Sequence, residues 1–117
     1  MDIHRKKQAI REIRILSRLN HPNIVRLVES IDSPKYVYLI MEYVSGESLH
    51  AHLKAAPHRR FSEEKAKRLI KQLIGILSYL HQRNVTHRDI KLENVMLSSS
   101  DPTCSVKLAD FGLAESV

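Results

Sequence analysis

The sequence predicts an α+β fold: a helix, a two-stranded hairpin, then a long helix followed by very short strands that bracket polar loops. Three observations carry this. Apolar residues recur at helical spacing over 5–19 and again over 63–82. Two β-rich runs, 24–28 and 36–41, flank a turn signal. Val85-Thr86, Val95-Met96-Leu97 and Val106-Lys107-Leu108 are short β-prone pieces set among polar residues. The 117 residues suffice for one modest domain around one core.

Between Arg5 and Leu19, the residues Ile10, Ile13, Ile15, Leu16 and Leu19 make an amphipathic helix, and Asn20-His21-Pro22 supplies its stop. Ile24-Val25-Arg26-Leu27-Val28 and Tyr36-Val37-Tyr38-Leu39-Ile40-Met41 read as antiparallel strands. Asp32-Ser33-Pro34-Lys35 joins them, since these residue types favour turn geometry, and the hairpin ends near Tyr43. Ser45-Gly46-Glu47-Ser48 offers a cap to a short helix through Leu53, before Pro57 and a basic loop. Ser62 caps the next helix, and Glu63 and Glu64 suit the positive end of its dipole. Ala66, Leu69, Ile70, Leu73, Ile74, Leu77 and Leu80 form its wide apolar stripe. Asn84 terminates it, because Asn tolerates left-handed backbone.

Composition excludes several classes. Apolar residues at 43% and charged residues at 27%, with no low-complexity tract or repeat, describe a globular chain. The apolar runs are too short to span a bilayer and the N-terminus is charged, so no membrane association is expected and a cytoplasmic or nuclear location is the default. The single Cys104 reads as an inert surface thiol. The net charge of +6 is spread over His4-Arg5-Lys6-Lys7, His58-Arg59-Arg60 and Lys65 to Lys71, with acids interleaved and no aromatic stacking series. Solvated helix faces, not a nucleic-acid stripe, are expected. His50, His52 and His58 lack the spacing of a metal site and read as solvent-exposed.

The chemistry is concentrated in His87-Arg88-Asp89-Ile90-Lys91-Leu92-Glu93-Asn94 and Asp110-Phe111-Gly112. Phosphoryl transfer needs a group that orients the acceptor hydroxyl, a cation for the transferring phosphate and hard oxygen ligands for magnesium. Asp89, Lys91, and the pair Asn94 and Asp110 fit these roles in turn. An ordinary polar loop is the bland reading, and the spacing of Asp89, Lys91, Asn94 and Asp110 argues against it.

These motifs resemble the eukaryotic protein kinase signature, and the resemblance extends over nearly the whole chain. Arg11-Glu12-Ile13-Arg14-Ile15-Leu16 with His21-Pro22-Asn23-Ile24-Val25 is similar to the regulatory helix and following strand, and Tyr38 to Val44 is similar to the hinge between lobes. The resemblance implies an incomplete protein-kinase-like fold, with residues 1–43 in the N-lobe, 44–48 in the hinge and 49–117 in the C-lobe. It further implies ATP and Mg2+ as cofactors and a protein substrate. Glu12 would be the helix carboxylate that pairs with an ATP-binding lysine, and Met41 the gatekeeper behind the adenine. Glu42 and Val44 would offer hinge backbone groups, and Ser48 would stand at the ribose. Leu49 and Met96 would pack below the adenine. Leu16, Leu27, His87 and Phe111 would stack as the column linking the lobes, and Arg88 would receive an activation-loop phosphate. Lys91 resembles the Ser/Thr class. The string from Val106 to Ala114 and the Ser98 to Ser105 loop resemble the calcium/calmodulin-dependent and AMP-activated kinase branch.

The family pattern also requires a glycine-rich loop and a strand-borne lysine before the regulatory helix, and these residues contain neither, since the first glycine is Gly46. The activation segment, the Ala-Pro-Glu motif and the substrate platform are likewise not among them. The expectation is therefore a fragment of a Ser/Thr kinase domain with little or no activity by itself. The alternative is a catalytically inactive, kinase-derived binding or regulatory protein that associates with missing kinase segments or an intact kinase. The apolar stripe of the long helix would be a liability in an isolated fragment, as burying one large apolar side chain contributes about 1.5–3 kcal/mol.

Overall fold

The computed structural model describes residues 3–99, 105–110 and 115–116. The first helix, α1, runs over Ile3–Leu16. It stops short of Leu19 because its last turn tightens: Arg18 N–H donates to Ile15 O and Leu19 N–H to Leu16 O, both three residues back. Leu19 still packs in the core beside Ile15 and Leu16.

The hairpin forms with a shifted first strand. β1 is Leu27–Asp32 and β2 is Val37–Met41, antiparallel, with an irregularity between Leu27 and Glu29. Ile24 and Val25, expected in that strand, dock elsewhere. Val25 N–H donates to Leu108 O at 3.0 Å and Leu108 N–H to Asn23 O at 2.7 Å, so both apolar side chains are buried against a strand far along the chain. The turn is closed by Ser33, whose hydroxyl donates to Tyr36 O at 2.8 Å and accepts from Tyr36 N–H at 3.0 Å.

α2 is Leu49–Ala55, two residues longer than expected, with the Ser48 hydroxyl accepting from Ala51 N–H at 3.1 Å. α3 spans Glu63–Gln82 as expected. Ser62 caps it by accepting from Lys65 N–H at 3.2 Å, and Asn84 (φ 57°) turns the chain after it. The apolar stripe of α3 divides. Leu69, Ile76 and Leu80 are buried, whereas Ile70, Ile74 and Leu77 are 55, 61 and 46% exposed. No described helix is long and apolar enough to cross a membrane.

Three short strands follow: β3 (Val85–Thr86), β4 (Val95–Leu97) and β5 (Val106–Leu108). β4 pairs antiparallel with β5, and β3 with a further strand, β6 (Glu115–Ser116), for which the sequence carries no signal. The mixture of helices and small antiparallel sheets is the α+β fold expected. Cys104, Phe111 and Gly112 lie outside the described residues, as does most of the Ser98 to Ser105 loop.

Candidate active site

β3, β4 and β5 hold the polar loops between them. Alternation along β4 and β5 sends Val95, Leu97, Val106 and Leu108 into the core, so the backbone of Asn94 and Ala109 is fixed at the strand ends. Ala109 N–H donates to Asn94 O at 2.8 Å, tying the two loops. Arg88 (φ 70°) and Asp110 (φ 56°) both take left-handed backbone. For residues with a Cβ this costs about 1–2 kcal/mol each, and the surrounding structure must over-determine the conformation.

His87 supplies part of that. It is 2% exposed, its Nε2 donates to Ala109 O at 3.0 Å, and its Nδ1 accepts from Asp89 N–H at 3.1 Å. One ring nitrogen donating and the other accepting describes a neutral imidazole, which bridges Ala109, just past the end of β5 and next to Asp110, to the loop carrying Asp89.

Asn94, 8% exposed, orients Asp89 directly. Its Nδ2 donates to Asp89 O at 2.9 Å and to Asp89 Oδ2 at 3.0 Å. Lys91 Nζ stands 3.7 Å from the other carboxylate oxygen, Oδ1. With Nδ2 engaged, the Asn94 Oδ1 is the atom left to offer a cation. It and the Asp110 carboxylate are both hard-oxygen donors by type. Such donors are what Mg2+ takes from a protein when waters and phosphate oxygens fill its other positions, so these residues fit the ion.

Glu12 of α1 comes close enough to Asp110 to feel its charge. Burial raises the Glu12 carboxyl above its ordinary pKa, and the Asp110 carboxylate adds to the shift. Leu16 is buried in the core, with Leu27, Leu39 and Met41 packed against it. Leu49 is buried too, and Met96 is half-buried on β4 beside the backbone bridge to Ser48. The Ser48 hydroxyl is committed to the α2 cap. Glu42 N–H is committed to Arg26 O at 2.9 Å, so the backbone group it can still offer a ligand is its carbonyl. Val44 is half-buried just beyond.

One histidine expectation is corrected. His52 is not a free surface group, because its Nδ1 pairs with Glu47 Oε1 at 3.0 Å, its Nε2 meets Lys65 Nζ at 2.5 Å, and its ring lies against Phe61. His50 is exposed and 3.5 Å from Glu93. The sequence reading missed two supports. Gln72 Oε1 on α3 accepts from Val106 N–H at 2.8 Å, and Asn23 Nδ2 donates to Val106 O at 2.8 Å, together pinning the start of β5. A polar Gln between Leu69 and Leu73 on the inner side of the helix is the signal that could have pointed there.

A family model described as the protein kinase domain matches residues 1–117. Aurora kinase B of Drosophila melanogaster is 43% identical over 107 residues, which is 92% of this chain and 32% of that protein. The serine/threonine-protein kinase SIK3 homolog of Danio rerio is 37% identical over 114 residues, which is 97% of this chain and 9% of that protein. The chain spans a third or less of the curated relatives it matches.

Proposed function

The chain belongs to the protein kinase domain family, and from that premise we propose that its residues form the catalytic and metal-binding part of an enzyme that transfers phosphate from ATP to Ser/Thr hydroxyls of proteins in the cytoplasm or nucleus. The observation that carries the proposal is the double hydrogen bond from Asn94 Nδ2 to Asp89, with Lys91 on the opposite carboxylate oxygen.

In this reading Asp89 receives the hydroxyl proton. Its Oδ2 is held by Asn94, so Oδ1 faces the acceptor, and the approach of that hydroxyl lies within reach of Lys91. Lys91 releases its long contact to Asp89 and neutralises charge on the transferring phosphoryl group. Bound Mg2+ would neutralise the phosphate chain, and Asn94 Oδ1 with the Asp110 carboxylate are the residues that would hold it. His87 keeps the two loops in one spacing throughout.

Titration of the full chain with ATP, with and without Mg2+, tests the site. Asp110→Asn should abolish the gain in affinity that Mg2+ brings, and Asp89→Asn should leave ATP binding in place. Equal Mg2+ response in the wild type and Asp110→Asn would refute the metal assignment.

The exposed Ile70, Ile74 and Leu77 on α3 support a second reading, a catalytically silent binding protein that uses this face to associate with further kinase segments or an intact kinase. Association without any Mg2+-dependent nucleotide binding would favour it.

A further inference from the structure

Lys107 lies on β5 between Val106 and Leu108, both fully buried. Strand alternation therefore turns its side chain away from the core, to the face shared with its register partner Met96. There its Nζ donates to both carboxylate oxygens of Glu42, at 3.1 and 3.0 Å. The same carboxylate accepts from Arg26 N–H at 2.8 Å, and Glu42 N–H donates back to Arg26 O at 2.9 Å. Glu42 is thus gripped by its backbone from one segment and by its carboxylate from two.

The pair is 20 and 26% exposed, so water and salt screen it less than a surface ion pair. Burial by itself would raise the Glu42 carboxyl, but the Lys107 bonds and the Arg26 N–H outweigh burial and hold it below its ordinary pKa. Three residues on from Lys107, two past the end of β5, comes Asp110, and between them Ala109 is bonded to both Asn94 and His87. A shift of Lys107 relative to Glu42 is therefore a shift of the hinge relative to the metal-binding carboxylate.

We propose that Lys107 is a positioning residue that straps the hinge at Glu42 to the strand presenting Asp110, setting the distance between the nucleotide's base and its metal-bound phosphates. The inference rests on the nucleotide site proposed above.

The test uses the full chain with ADP as probe, comparing wild type, Lys107→Met and Lys107→Arg. Methionine keeps the apolar stem and removes the charge, and arginine can still bond both carboxylate oxygens. In Lys107→Met the gain in ADP affinity on adding Mg2+ should shrink about five- to tenfold, the scale of one partly screened ion pair, and Lys107→Arg should restore it to within about twofold. Hydrogen exchange at the Glu42 amide should speed up in the Met variant and return in the Arg variant.

A purely structural role would lower affinity equally with and without Mg2+, and that outcome overturns the proposal, as does an Arg variant that restores nothing. If the wild type shows no Mg2+ gain, the nucleotide-site reading fails. The Glu42 amide then decides the strap by itself, since exchange unchanged in Lys107→Met would refute it.

Discussion

Replacing Gly46 by alanine should destabilise the protein strongly, and the reason is contact rather than conformational freedom, because no described glycine has positive φ. A Cβ at Gly46 would stand 2.2 Å from Leu97 O, 2.7 Å from Leu97 C and 2.8 Å from Ser99 O. All three are backbone atoms and cannot rotate aside, so the segment before α2 must move from β4 by over an ångström. That seam carries the Leu97 N–H to Glu47 O bond at 2.9 Å and the Ser48–Met96 bridge. Overpacking contributes about 1–3 kcal/mol and a lost backbone bond about 1 more, giving a cost of roughly 2–4 kcal/mol. Gly75 is the control. It lies inside α3 with nothing within 4 Å of a built Cβ, so Gly75→Ala should stabilise by about 1 kcal/mol through helix propensity. Urea unfolding of the full chain followed by circular dichroism measures both. Opposite signs are expected from the same chemical change. A Gly46→Ala variant within about 0.5 kcal/mol of wild type would refute the close-approach reasoning.

Ser62→Ala removes the bond to Lys65 N–H that caps α3 and should cost about 1 kcal/mol in the same assay, while Ser62→Asp should cost little. His21 accepts from Asn23 N–H through Nδ1, and burial first, then the Arg83 charge, hold its pKa below 6.5. As pH falls below 6.5 the unfolded chain protonates before the folded one, so stability should decline until the folded pKa is passed. His21→Asn should flatten that decline between pH 7.5 and 5, and an unchanged slope would contradict it. Glu12 has the opposite sign: its folded pKa is raised, so stability is lost as pH rises from 4.5 through the folded value. Glu12→Gln should therefore be more stable than wild type at pH 7 and converge with it near pH 4. A cation supplied beside Glu12 and Asp110 would reverse that difference.

Local chemistry made much of the protein legible in advance. Ser48 and Ser62 cap their helices, Asn84 ends the longest one, and Ser33 closes the hairpin, because each device acts within a few residues of itself. The contact inside the loop from His87 to Asn94 is equally local, since Asn94 reaches Asp89 across five residues. The first strand was misplaced for a related reason. Ile24 and Val25 have the right residue types for a strand, but their partner is Leu108, and no local pattern shows a bond to a residue so far along the chain.

The sequence by itself determined the α+β composition and the caps of α2 and α3, and it singled out Asp89, Lys91, Asn94 and Asp110 as the candidate catalytic set. Only tertiary structure decided which half of the α3 stripe is buried, that Gln72 and Asn23 pin β5, that Glu12 comes near Asp110, and that Lys107 grips Glu42 across 65 positions. The physical reason is reach. Propensity, capping and turn chemistry act through dihedrals and bonds within a turn of helix or a hairpin, whereas pairs far apart in sequence exist only once the core has fixed the path of the backbone between them.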